Sequence, residues 1–344
     1  MTPNEPLAEA TENERSELFE LLRATSSPEP ASARDALAGR RLVGADLREC
    51  DLTTADLSGL DLSRADLSGA NLMGARLVGT TLFEANLTEA ELAGADLSCA
   101  NLQGAVLERA GLGRTKLVGT SLIGANLSGA TLTDSTLERS DLRTANLTGA
   151  RLREVDLCDV DLSRAILKKA DLEDGHVRNA CFDGADIREA NLARLRGYET
   201  ASWIGVDIRD IDFTGAYLCR RFIQDQNFLE EFRNTSKFHR AMYSVWRATS
   251  DCGRSATRWA AWTVAIIVLF AWLYTFVDVD YGSYPTPISP LYYSVVTMTT
   301  LGYGDVLPSS MAAQLVAMVE VVLGYVMLGG LLSIFSNKMA SRAN

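Results

Sequence analysis

The chain has 344 residues, 44 of them acidic against 33 basic, and a formal net charge of −11. Its six cysteines show no C-x-x-C spacing and have only His176 and His239 beside them, which argues against a structural zinc site and reads as reduced thiols. No phosphate-binding glycine loop, nucleophile–base pair or paired metal carboxylate stands out, so neither an enzyme nor a bound cofactor is expected.

The length accommodates two domains, and a composition shift across 219–257 marks their junction. The first residues are polar and acidic, so no secretory leader is expected. Residues 12–24 form an amphipathic helix candidate with Leu18, Leu21 and Leu22 on one side. A Ser/Pro-rich link at 25–34 joins it to a long repetitive region, whose first coil this segment (residues 1–40 overall) is expected to cap. A mobile tail is the competing reading.

From Leu42 to Leu192 every fifth residue is apolar, and all are Leu except Val177, Phe182 and Ile187. Two places earlier stands a small residue, usually Ala, as in Ala65-Asp66-Leu67 and Ala85-Asn86-Leu87. A period of five fits no regular element. On an α-helix it turns roughly 500° per repeat, spreading the leucines round every face. On a strand it alternates between faces. Only a chain that turns a corner once per repeat keeps every Leu inward. The stretch resembles the pentapeptide-repeat family, which implies a right-handed quadrilateral β-helix over 41–219. The register slips by one near Gly197-Tyr198 and resumes at Trp203, Ile208, Phe213 and Leu218, so 195–200 reads as a bulge or small loop within one solenoid. Roughly nine coils at about 4.8 Å give a rod on the order of 40 Å long.

The solenoid's polar positions are rich in Asp and Glu. Some pentapeptide proteins mimic nucleic acid, but Asp and Asn at a corner position also serve turn chemistry. Tethering to a membrane segment makes nucleic acid a poor partner, and none is expected. Residues 220–257 form a basic linker after the solenoid. Phe238, Met242, Val245 and Trp246 recur at helical spacing beside Lys237, Arg240 and Arg247, which reads as an amphipathic helix on a membrane surface. Packing on the last solenoid coil would use the same apolar residues.

The last part, 258–344, reads as an all-α membrane module. Trp259 to Val277 carries no charge, and Met311 to Phe335 carries only Glu320. At 1.5 Å per residue each run can cross a bilayer. Trp259, Trp262, Trp272 and Tyr274 lie where interfacial aromatics gather. No Lys or Arg occurs from Trp259 through Asn337, whereas both flanks are basic. The positive-inside rule therefore places both termini in the cytoplasm of a cell membrane and the 278–310 loop outside. Few residues come after the second run, so no C-terminal sensing domain is expected.

Between the runs stands Thr297-Met298-Thr299-Thr300-Leu301-Gly302-Tyr303-Gly304-Asp305. Ser289-Pro290 offers a helix start, with Ser as N-cap, so 289–305 reads as a short helix ending at a glycine-containing loop. Thr300 to Gly304 resembles the T-V-G-Y-G filter of two-helix potassium channels. The resemblance implies a homotetramer in which the Thr300, Leu301, Gly302 and Tyr303 carbonyls and the Thr300 hydroxyl coordinate K⁺. Gly304 completes the loop and Thr299 supports it. Gly324 falls where inner helices often carry a hinge, and Gly329-Gly330 is a second flexible point; close helix packing is the alternative use. Leu301 replaces the usual Val, and Val296 stands where some relatives carry Glu. Bracing of Tyr303 or Asp305 then falls to Tyr292 or Tyr293. Four Asp305 side chains would concentrate cations at the mouth. Glu320 is read either as hydrogen-bonded behind the pore helix or as facing the ion path.

These readings converge on a potassium channel with a cytoplasmic solenoid of regulatory or scaffolding role. The expected partners are the lipid bilayer, other copies of the chain, and an unknown cytoplasmic protein or ligand at the solenoid. A weakly selective cation channel and a membrane-tethered interaction scaffold are the alternatives.

Overall fold

The computed structural model describes residues 42–336 except 212, 215, 254, 283 and 284, the backbone of 337–340, and residues 17, 18, 20–22 and 24. It divides into two compact units, Met1–Phe228 and Leu229–Asn344.

The first unit is the solenoid. Each pentapeptide closes with a bond from the N–H three residues after the core Leu to that Leu carbonyl, as in Ala65 N–H to Leu62 O at 3.0 Å. The residue before the closing position is left-handed, as at Gly69 (φ 66°) and Arg64 (φ 57°). This is a β-turn with positive φ at its third residue, which explains why Gly recurs there. The Asp or Asn preceding the Leu accepts from the backbone two residues on, as in Ser98 N–H to Asp96 Oδ1 at 3.0 Å. The acidic surface is thus in large part turn chemistry.

Successive coils pair in parallel, Asp46 with Asp66 and Asp66 with Asn86. The N–H of Leu47 donates to Asp66 O at 2.7 Å, and Asp66 N–H donates to Ala45 O at 2.9 Å. Four corners per coil therefore bring the Leu column inward, and Leu47 through Leu102 are 0% exposed. Burial of each Leu contributes about 1.5–3 kcal/mol. Polar residues in the small inward position are satisfied by backbone: the Thr80 hydroxyl donates to Leu57 O at 2.8 Å.

The one-residue slip is a short 3₁₀ turn, Tyr198–Thr200, entered through Gly197 at φ 77°. The pairing His176 with Arg196 gives way to Cys181 with Ser202. Beyond it Trp203 is buried and stacks on Phe182 with centroids 4.2 Å apart. Ile208 and Phe213 pack against the core at its edge. Leu218 does not continue the inward register. It lies on helix α1 (Tyr217–Thr235) and is 48% exposed.

Helix α1 ends the solenoid. Cys219 and Ile223 enter the core, and burial pushes the Cys219 thiol up to about 12. Two side-chain amides stand in for a further coil. Gln226 Oε1 accepts from Trp203 N–H at 2.9 Å, while its Nε2 donates to Ala201 O at 3.0 Å. Asn227 Oδ1 accepts from Gly205 N–H at 2.7 Å, and its Nδ2 donates to Trp203 O at 2.9 Å. This covers the unpaired edge that a solenoid end presents. At the other end Leu22 is fully buried, with Leu18 and Leu21 packed on the same core. Most of 1–40, including the Ser/Pro-rich link, lies outside the described residues.

The 220–257 linker is two helices, not one. Helix α2 (Lys237–Ser250) starts at Ser236, whose Oγ accepts from His239 N–H at 3.2 Å. It leaves Phe238, Met242 and Val245 exposed. A left-handed turn at Asp251, Cys252 and Gly253 leads to helix α3 (Ala256–Leu273), capped by Ser255. A short ribbon pairs β1 (Val279–Asp280) with β2 (Leu307–Pro308), antiparallel. Between them lies helix α4 (Ser289–Met298), and helix α5 (Met311–Ala340) comes last. Ser289, expected as N-cap, is the first helical residue; its Oγ accepts from Thr286 N–H at 2.8 Å instead.

Candidate functional site

Helices α3 and α5 are long and apolar enough to cross a membrane. Trp262, Val264, Val268 and Trp272 of α3 are exposed, as are Met318, Val322 and Val326 of α5. A lipid surface suits such faces. The three helices meet around Phe270, Tyr274, Tyr293 and Val306. Trp259 Nε1 donates to Met327 O at 2.8 Å, tying α3 to α5 near the other end of α3.

Helix α4 directs its C-terminal end to the Thr300–Gly304 loop. The Thr299 hydroxyl donates back to Val295 O at 2.7 Å, and Leu301 N–H donates to Val296 O at 3.1 Å. Thr300, Gly302 and Gly304 have φ of 55°, 50° and 76°, while Leu301 and Tyr303 stay outside that region. A chain that alternates between left- and right-handed torsions can turn successive carbonyls to one side, the backbone geometry an ion-coordinating loop needs. A Cβ added to Gly302 or Gly304 would meet nothing within 4 Å, so backbone conformation and not space calls for glycine. Leu301 and Tyr303 are 58% and 67% exposed.

The loop is fastened on its far side. Tyr292 OH donates to Asp305 Oδ2 at 2.7 Å, joining α4 to the residue after the loop. Tyr293 points elsewhere: it is buried, with its ring centroid 4.6 Å from that of Tyr274. Val296 is buried as well. The ribbon holds together the segments that flank α4 and the loop, with Ser309 Oγ donating to Asp278 O at 2.8 Å.

Glu320 lies against α4, fully buried. It meets Tyr274 OH at 2.6 Å and the Ser294 hydroxyl, whose Oγ is also 2.9 Å from Ile267 O. One carboxyl thus joins α3, α4 and α5. The sequence offered Tyr274 only as an interfacial aromatic and gave no sign of Ser294, a small polar residue in an apolar helix.

Gly324 is a contact point. A Cβ there would collide with the Met298 carbonyl, so the glycine lets the end of α4 lie on α5. Gly330 likewise receives the Trp259 ring, whereas Gly329 has open space around it. Helix α5 runs unbroken through all three.

Residues 261–341 match the ion-channel family, and 41–179 match pentapeptide repeats. A 46-residue stretch is 50% identical to two-pore potassium channel 1 of Arabidopsis thaliana. It covers 13% of each chain, so this chain aligns with only a small part of that relative's length. HetL, a pentapeptide-repeat protein of the cyanobacterium Nostoc involved in heterocyst differentiation regulation, is 31% identical over 53% of this chain and 91% of its own, with a TM-score of 0.38. A pentapeptide-repeat protein of the Arabidopsis thaliana thylakoid lumen is 32% identical over 32% of this chain and 70% of its own, with a TM-score of 0.18.

Proposed function

The chain joins pentapeptide repeats to a domain of the ion-channel family, and from that premise we propose that it is a homotetrameric potassium-selective channel. The observation that carries this reading is the alternation of left-handed Thr300, Gly302 and Gly304 with Leu301 and Tyr303 at the end of α4. In the proposed mechanism four such loops surround an axis, and their carbonyls replace the water shell of a K⁺ ion. The α4 C-termini add partial negative charge, and Asp305 raises the cation concentration at the mouth. Exposure of Leu301, Tyr303 and Tyr325 in the single chain supports a site completed by neighbouring copies.

Glu320, tied to Tyr274 and Ser294, acts as a brace and not as an ion ligand. The membrane is the cell membrane, with both termini cytoplasmic, supported by the basic flanks and the Lys/Arg-free stretch between them. The solenoid supplies a regulatory or scaffolding input, and α2 rests its apolar face on the inner leaflet. Reconstitution tests the proposal. Purified protein should run as a tetramer by native mass measurement and carry K⁺ into liposomes faster than Na⁺. A monomer, or equal uptake of both ions, contradicts it.

A further inference from the structure

On the solenoid, three side chains of different chemistry converge across two successive coils. Asp156 pairs with His176 in the ladder, one coil apart. Cys158, 2% exposed, lies two residues beyond Asp156, and its N–H donates to Asp156 Oδ1 at 3.0 Å. Its Sγ lies 3.4 Å from His176 Nδ1. One donor atom from each of the three falls within 4.8 Å of the other two. The spacing in sequence hides this arrangement, because a coil of four pentapeptides brings 158 beside 176 without any C-x-x-C or C-x-x-H motif.

We propose that Asp156, Cys158 and His176 form a binding site for a divalent transition metal of the zinc class. Bonds of about 2.3 Å to sulfur and about 2.0–2.1 Å to nitrogen, at a tetrahedral angle, set those atoms roughly 3.5 Å apart. The Cys158–His176 separation of 3.4 Å already meets that requirement. A thiolate, an imidazole and a carboxylate favour zinc-like ions over magnesium or calcium, which take oxygen ligands. Asp156 and His176 are partly exposed, leaving a fourth position open to water or to an exchanging ligand.

The scaffold holds these groups in place. Backbone bonds fix both coils, with Leu157 N–H donating to His176 O at 2.8 Å and His176 N–H donating to Val155 O at 2.9 Å. The solenoid's register slip falls directly over the imidazole. A Cβ on Gly197 would lie 3.1 Å from His176 Cδ2 and 2.9 Å from Arg178 N, so glycine there lets the chain close over the ring. Preorganised donors on a rigid element are what a metal site requires. The next corner lacks the set: Cys181 lies 3.2 Å from the Ser163 hydroxyl, and no such donor cluster forms there among the described residues.

Cobalt titration of the full-length protein tests the proposal, using detergent-purified, reduced and chelator-stripped material. The expected result is a thiolate-to-cobalt charge-transfer band that saturates at one Co²⁺ per chain and is displaced by Zn²⁺. Cys158→Ser should abolish the band. His176→Gln and Asp156→Asn, both partly exposed, should weaken binding at least about tenfold, with circular dichroism unchanged. Cys99→Ser, at an exposed position elsewhere, should bind like the parent. A missing band in the parent, a band that survives Cys158→Ser, or unchanged affinity in His176→Gln overturns the site.

Discussion

The Tyr274 hydroxyl donates to Glu320 Oε2 at 2.6 Å, and the other oxygen of that carboxyl meets the Ser294 hydroxyl. With Ser294 also 2.9 Å from Ile267 O, the three helices around the candidate filter share one buried polar knot. Such a knot rigidifies only while every member is satisfied.

Removing its centre should therefore cost more than altering it. Glu320→Ala takes the carboxyl from the buried Tyr274 hydroxyl, at about 1–3 kcal/mol, leaves Ser294 only its contact with Ile267 O, and should lower the melting temperature of the purified protein. Glu320→Gln keeps an acceptor for Tyr274 and offers a donor to Ser294, so its melting temperature should stay near that of the parent. Equal losses in the two variants would contradict the brace.

The bond from Tyr292 to Asp305, at 2.7 Å, fastens the C-terminal end of the loop. Asp305→Asn should reduce single-channel K⁺ conductance at low ionic strength, because the mouth loses negative charge. The reduction should fade at about 1 M salt, where the screening length falls to about 3 Å. Tyr292→Phe keeps the charge and frees the side chain, so it should alter K⁺ over Na⁺ preference without that salt dependence. Recordings across a salt series distinguish the two.

Glycine substitutions should separate by cause. Gly302→Ala and Gly304→Ala meet no atoms but force an L-residue to φ 50° and 76°, at roughly 1–2 kcal/mol per site. Selectivity should fall while assembly persists. Gly324→Ala drives a methyl into the Met298 carbonyl and should reduce the yield of assembled protein. Gly329→Ala, in open space, should assemble normally. Size-exclusion profiles beside flux assays check all four.

At the solenoid end, Asn227→Ala removes the partners of Gly205 N–H and Trp203 O. The expected loss is about 1–3 kcal/mol, read as faster amide exchange in 201–208. Exchange limited to the α1 helix itself would show that the cap does not hold the coil.

Acid stability carries a sign. Hydrogen bonds from the Arg209 side chain and backbone hold Asp207 down at about 2. A carboxylate depressed in the folded state stabilises above its unfolded value of about 3.9 and loses that contribution as pH falls toward 2. The pair is exposed, so the effect on stability is small. NMR titration should show Asp207 returning toward the ordinary carboxylate range in Arg209→Gln.

The Leu column was legible because a five-residue period admits only a cornered coil, and the slip near Gly197 was visible as a break in that period. The end of the solenoid was not. Leu218 keeps the period but belongs to α1, since nothing in one residue's hydrophobicity distinguishes a last coil from a capping helix. The amide caps at Gln226 and Asn227 depend on a three-dimensional edge that no local pattern encodes. In the membrane module the loop and both long helices could be read from composition, whereas the partners of Glu320 could not. Tyr274 and Ser294 are distant in sequence and become neighbours only when α3, α4 and α5 pack. For the same reason Gly324 reads as a hinge in sequence and as a packing contact with Met298 in the fold.

The central claim is that the Thr300–Gly304 loop passes K⁺ in preference to Na⁺. The most direct test is the reversal potential of the full-length protein in a planar bilayer, with K⁺ on one side and Na⁺ on the other. The expected potential lies far from zero, with the K⁺ side negative, and shifts toward zero in Gly302→Ala. A reversal potential near zero in the parent protein would contradict the claim.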